Sequence, residues 1–95
     1  MDIEHLRDRM LAGKYVVTDH AREEMRHGGF GTDELMSCIE SGEIINQDWD
    51  ADYGTEFLVE GRTSTRQAAR VKVGIDDDDK VVSITVYPLR RRKAR

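Results

Sequence analysis

The hydrophobic period of this chain changes once, at Gly42, and that change decides its layout. Before Gly42, apolar residues recur at helical spacing; after it, they alternate. Ile3, Leu6, Met10 and Leu11 follow i, i+3, i+7, i+8, with Asp2 as a candidate N-cap and Gly13 beyond the end. A second helix begins at Thr18 or Asp19, buries Ala21 and Met25, and ends at Gly28-Gly29. A third starts at Thr32, with Asp33 and Glu34 in its first turn, where negative charge suits the helix dipole. Leu35, Met36 and Ile39 form its apolar stripe. Tyr15-Val16-Val17, between the first two helices, is a short extended candidate.

The second half reads as four strands. Glu43 to Gln47 is the first, and the loop Asp48-Trp49-Asp50-Ala51-Asp52-Tyr53-Gly54 follows it. Thr55 to Glu60 is the second. Gln67 to Ile75 alternates, with Val71, Val73 and Ile75 on one face and Arg70 and Lys72 on the other. Asp76 to Lys80 is a polar loop without the spaced ligands and glycine of a calcium loop. Val81 to Tyr87 is the last strand, expected to turn Val82, Ile84 and Val86 inward before Pro88 ends the ladder. Short polar connections favour an antiparallel meander. The expectation is one α+β domain over residues 1–89, with N-terminal helices packed on a four-stranded antiparallel β-sheet. Residues 90–95, five of them basic, are expected to form a disordered tail.

Composition narrows the setting. The chain has 95 residues, 38% hydrophobic and 36% charged, which suits one domain with a modest core. No apolar run approaches the roughly 20 residues of a membrane-spanning helix, and the start lacks the basic and apolar regions of a signal peptide. The single cysteine, Cys38, falls among Leu35, Met36 and Ile39 and reads as a buried structural thiol. A reducing cytoplasm is the expected location. The net charge of −4 hides an asymmetry: residues 1–60 are strongly acidic and residues 61–95 basic. Nucleic-acid binding follows local basic surface, so this balance leaves RNA open and argues against nonspecific DNA binding.

His20, Glu24 and His27 stand at i, i+4, i+7, a spacing that gathers them on one helix stripe. They lack the His-Glu-x-x-His arrangement of zinc proteases, and Gly28 frays the helix near His27, so a solvated face is the reading and no metal or cofactor is expected.

Ordered pieces of the sequence carry a resemblance. They are Val16-Val17-Thr18-Asp19-His20-Ala21, Met25, Ile39-Glu40-Ser41-Gly42-Glu43-Ile44-Ile45, Gly61-Arg62, the strand at Val71, and Ile84-Thr85-Val86-Tyr87-Pro88. In order and spacing, over residues 15 to 89, they resemble domain-of-unknown-function family 4258, related to the RelE-like toxin superfamily of prokaryotes. The resemblance implies helices on a curved sheet and, in the ribonucleases of that superfamily, RNA lying across the sheet face. Such enzymes cut without a metal, using the 2′-hydroxyl as internal nucleophile. That reaction needs a proton acceptor, a proton donor and positive charge at the phosphorane. On this analogy the catalytic candidates are His20, as base or acid, and Tyr87, as hydrogen-bonding partner. The RNA- and phosphate-binding candidates are Arg66, Arg70 and Lys72 as a clamp, with Trp49 and Tyr53 stacking on bases.

The family pattern His-Ala-x-x-Arg-Met-x-x-Arg-Gly is broken here: Glu24 and Gly28 stand where arginines are expected. Plainer roles stand beside the catalytic ones. His20 suits a hydrogen bond to a neighbouring strand, Tyr87 suits packing, and Arg70 and Lys72 suit the wet face of an amphipathic strand. Two functions follow: a RelE-like RNA-binding protein or toxin-type endoribonuclease with a cognate antitoxin, or a non-catalytic protein-interaction module, with a homo-oligomer open in either case.

Overall fold

The structure is a computed structural model that describes residues 2–51 and 54–89, with the backbone alone at Asp50, Tyr87 and Pro88. Its elements run α1 (Ile3–Leu11), β1 (Tyr15–Val17), α2 (Asp19–His27), α3 (Thr32–Ser41), β2 (Glu43–Asp50), β3 (Gly54–Arg62), β4 (Ala68–Ile75) and β5 (Val81–Pro88). The tail from Arg90 lies outside the described residues.

Each helix starts where its sequence supplies an acceptor for a free N–H. The Asp2 carboxylate accepts from the His5 N–H at 3.1 Å. The Thr18 hydroxyl accepts from the Ala21 N–H at 3.1 Å. At α3 the roles reverse, and the Glu34 carboxylate accepts from the Gly31 N–H at 2.9 Å. These contacts satisfy donors that no helical carbonyl can reach. Gly29 adopts a φ of +67°, which lets the Phe30 N–H fold back onto the Met25 carbonyl at 2.7 Å and carries the Phe30 ring into the core.

The sheet differs from the expected one. It has five strands in the order β1-β5-β4-β3-β2, and β1 pairs parallel to β5 through Tyr15↔Val81, Val16↔Val82 and Val17↔Ser83. The remaining neighbours are antiparallel. The four-stranded antiparallel sheet is therefore corrected to a five-stranded mixed one. The short extended candidate Tyr15-Val16-Val17 is β1; what the local pattern leaves out is its partner, more than sixty residues away. β2 also runs further than expected, carrying Trp49 and Asp50 into register with Thr55 and Gly54 rather than leaving them in a loop.

Two irregularities set which side chains face the helices. In β2 the register steps between Ile44 and Asn46, so Ile45 is the extra residue and remains 45% exposed. In β5, Lys72 pairs with Thr85 and Val73 with Ser83, which leaves Ile84 as the extra residue. A bulge shifts the side-chain alternation by one. Val81 and Ser83 thus point inward before it and Val86 after it, while Val82 is only half-buried. Of the expected inward set, Val86 joins the core cluster, Ile84 is buried, and Val82 fails. Ile84 is buried but outside the cluster of core residues.

The core joins Leu6, Met10, Ala21, Met25, Phe30, Leu35, Cys38 and Ile39 to Phe57, Val59, Ala69, Val71, Val73, Val81 and Val86. Each large aliphatic side chain among them contributes roughly 1.5–3 kcal/mol by leaving water. The helices cover one face of the sheet; the other is open. At α3 the approach to β3 is close enough to demand glycine: a Cβ on Gly61 or Gly42 would overlap the Cys38 carbonyl oxygen. Cys38 is fully buried, its Sγ 3.4 Å from the Ala69 carbonyl, and burial pushes the thiol up to about 11. The structural role expected for it holds.

Polar contacts fasten α1 to the rest. Arg7 Nη2 donates to the Gly42 carbonyl at 3.0 Å, and Arg9 Nη2 and His5 Nε2 meet the Asp79 carboxylate at 2.8 and 3.1 Å. Asp79 ends the β4–β5 turn, in which the Asp76 carboxylate accepts from the Asp78 and Lys80 N–H groups, both at 2.9 Å.

Two outcomes are expected. Gly61→Ala lowers the unfolding free energy by about 3 kcal/mol, read from the urea midpoint, because backbone at Cys38 must move to admit the methyl. The hydrogen bond from His5, helped by the charges of Arg9 and Lys14, holds the Asp79 carboxyl below its usual range. Its stabilisation is present above the ordinary aspartate value and disappears as pH falls through the lowered one. Asp79→Asn therefore flattens the loss of stability below about pH 4, measured by urea denaturation from pH 6 to pH 2.

Candidate functional site

The chain between β1 and α2 is tied to β5 through Thr18, whose N–H donates to the Ser83 carbonyl at 3.1 Å. The Thr18 hydroxyl caps α2 and shares its own proton between the Ser83 and Ile84 carbonyls, at 3.0 and 3.2 Å. Beyond Ser83, β5 has no β1 residue beside it. There α2 takes over: Glu24 Oε1 accepts from the Val86 N–H at 2.9 Å. Glu24 fills the place where the family resemblance leads one to expect arginine, and an arginine side chain has no acceptor to offer this N–H.

His20 stands one turn before Glu24, with Nε2 3.6 Å from Glu24 Oε2, and its side chain is 70% exposed. It donates to no neighbouring strand among the described hydrogen bonds. His27 turns instead to Glu23, at 3.5 Å, so the three-residue stripe does not converge. Among the described residues no group of three His, Cys, Asp or Glu side chains is placed to hold a metal ion.

Arg70 and Lys72 project from the open face of the sheet, while His20 belongs to the helical layer on the other side. Both cations are engaged across β3: Arg70 Nε meets Glu60 Oε1 at 2.9 Å, and Lys72 Nζ lies 3.7 Å from Glu56 Oε1. Arg66 sits in the β3–β4 turn with a φ of +68°, exposed, its carbonyl accepting from Arg62 Nη1 at 3.0 Å. Trp49 lies on β2 opposite Thr55, 69% exposed, in the side-chain row that continues to Phe57 on the helical face. Tyr53 lies outside the described residues. Tyr87 is described by its backbone alone, which pairs with Arg70. The structure thus gathers Arg70 and Lys72, and sets His20, Arg66 and Trp49 apart from them.

Sequence reasoning missed two features. One is Glu24 as the acceptor that seals the β5 edge; its signal is the glutamate in place of arginine. The other is a shallow pocket on the open face lined by Asn46, Gln47, Asp48, Glu56, Leu58 and Lys72. Reading Asp48 as loop hid it.

The edge contact yields a clear contrast. Glu24→Ala lowers stability by about 1–2 kcal/mol in urea denaturation, because the half-buried Val86 N–H loses its acceptor. His20→Ala shifts it by less than about 0.5 kcal/mol, as expected of an exposed side chain.

No curated protein and no solved structure matches this chain. A family model described as Domain of unknown function (DUF4258) matches residues 17–88, from the last residue of β1 to the end of β5. Helix α1 precedes that match. The conjunction of Thr18-Asp19-His20-Ala21 at the start of α2, the glycines where α3 meets β3, and Val86-Tyr87-Pro88 closing β5 lies within it, and the chain belongs to the DUF4258 family.

Proposed function

We propose that this chain is a non-catalytic protein-interaction module on a RelE-like scaffold. The observation that carries this reading is the state of the cations an RNA-cutting relative would use. Arg70 is occupied by Glu60 and Lys72 leans on Glu56, on a face where β2 adds Glu43 and Asp48. A phosphodiester brought there meets carboxylates as well as cations. His20, on the helical layer, lies 3.6 Å from Glu24 rather than beside an arginine at that position, so a developing phosphorane there gains no positive charge from residue 24.

A second reading is favoured by Glu24. One of its oxygens accepts from the Val86 N–H at 2.9 Å while the other lies 3.6 Å from His20 Nε2, on the side of β5 that continues into Tyr87. In that reading the protein is a metal-independent toxin-type endoribonuclease of the prokaryotic cytoplasm, held by a cognate antitoxin. His20 moves the proton of the 2′-hydroxyl or of the leaving oxygen, and Tyr87 supplies a hydrogen bond.

Incubating the purified chain and its His20→Ala variant with total cellular RNA separates the two. The module reading expects intact RNA with both proteins. Cleavage that disappears in His20→Ala overturns it in favour of the nuclease.

A further inference from the structure

The sheet has an edge at β2 and another at β1, and the chain closes most of their length with its own side chains. On β2 the Gln47 N–H is taken by Asn46 Oδ1 at 2.9 Å and the Trp49 N–H by Asp48 Oδ1 at 2.8 Å, and the bulge at Ile45 interrupts the rest. On the other side, the part of β5 beyond Ser83 is covered by Thr18 and Glu24, which engage the Ile84 carbonyl and the Val86 N–H. The remaining stretch is β1.

The register of β1 fixes which of its backbone groups are free. The Val81 N–H donates to the Lys14 carbonyl at 3.0 Å, and the Thr18 N–H to the Ser83 carbonyl at 3.1 Å. Alternate residues of a strand bond to a given neighbour, so Val16, paired with Val82 between those two bonds, turns both its groups to β5. Tyr15 and Val17 therefore direct their N–H and C=O groups outward. Among the described hydrogen bonds none uses them. Between them the Val16 side chain, on the open face with Val82, is 44% exposed.

The geometry points to a second copy of this chain as the strand that completes this edge, paired antiparallel about a twofold axis at Val16. Tyr15 then stands opposite the partner's Val17, and each such pair exchanges both of its N–H···O=C bonds. Every outward N–H finds an outward carbonyl. A centre at Tyr15 or Val17 engages only one residue of each copy. Val16 lies against the partner's Val16 as a close pair without hydrogen bonds, which covers its exposed surface. The charges agree with the same register. Lys14 and Asp19 flank β1 and are both exposed. The axis lays Lys14 opposite the partner's Thr18 and beside the partner's Asp19, so a lysine that by itself guards an edge meets a carboxylate. Because the helices share one face of the sheet, the end of α1, with Leu11 67% exposed, comes beside the partner's α2 and adds apolar area to the interface.

Sedimentation of the full chain, together with amide hydrogen exchange read by NMR, tests this. The expected result is a concentration-dependent dimer of the 10.9 kDa chain, in which the Tyr15 and Val17 amides exchange slowly and from which dilution frees them. Val16→Glu sets two carboxylates against each other and is expected to give a folded monomer. Lys14→Asp is expected to weaken the dimer about fivefold; adding Asp19→Lys restores it, as a contact between copies requires. A monomer at every concentration overturns the proposal and leaves the edge to a strand of another protein. A dimer whose Tyr15 and Val17 amides exchange freely also overturns it, and that reading needs no variant to fold.

Discussion

The Thr18 hydroxyl is the contact on which the rest of the arrangement turns. One oxygen ends β1, starts α2 and binds β5 by accepting from Ala21 and donating to the Ser83 and Ile84 carbonyls. It therefore sets the angle at which α2 leaves the sheet. That angle lays Ala21 and Met25 on the core and brings Glu24 to the Val86 N–H. A parallel strand of three residues is marginal by itself; the side chains of α2 extend its work along the part of β5 it does not reach.

The two faces of the sheet solve different problems. Toward the helices the problem is steric, and it is solved by removing side chains at Gly42 and Gly61 so that α3 lies against β3 backbone. Toward solvent the problem is electrostatic. Glu60 and Arg70 compensate each other, whereas Glu56, opposite Asp48, meets Lys72 only at 3.7 Å. The face is balanced toward the chain termini of the strands at Glu60 and unsettled at the Asp48 end. That is a poor surface for a polyanion.

What could be read in the sequence was what depends on neighbours. Asp2 and Thr18 announced helix starts, the Gly28-Gly29 pair a helix end, and the alternation of Val71 and Val73 a strand with one buried face. The burial of Cys38 followed from its stripe. What could not be read depends on distant partners. Tyr15-Val16-Val17 was legible as extended, but its parallel place beside Val81 to Ser83 was not, and Trp49 lies in β2 because Thr55 pairs with it. The same holds for the candidate site. His20 and Arg70 were visible as residue types, but their separation onto two layers, and the glutamate that engages Arg70, are properties of the register. The family match over residues 17–88 fits the ordered pieces that were legible in one dimension.

The extra residue at Ile84 gives β5 something like a reading frame. Upstream of it the odd-numbered positions Val81 and Ser83 are interior; downstream the even-numbered Val86 is. Excising that residue would restore an unbroken pleat with Ser83 and Val86 still interior and Thr85 between them, whereas straightening the strand with Ile84 retained would exchange inside for outside over its final segment and pull the Val86 N–H away from Glu24. A further residue inserted downstream and not bulged out has the same effect, so longer relatives are expected to place their insertions in the connecting turns.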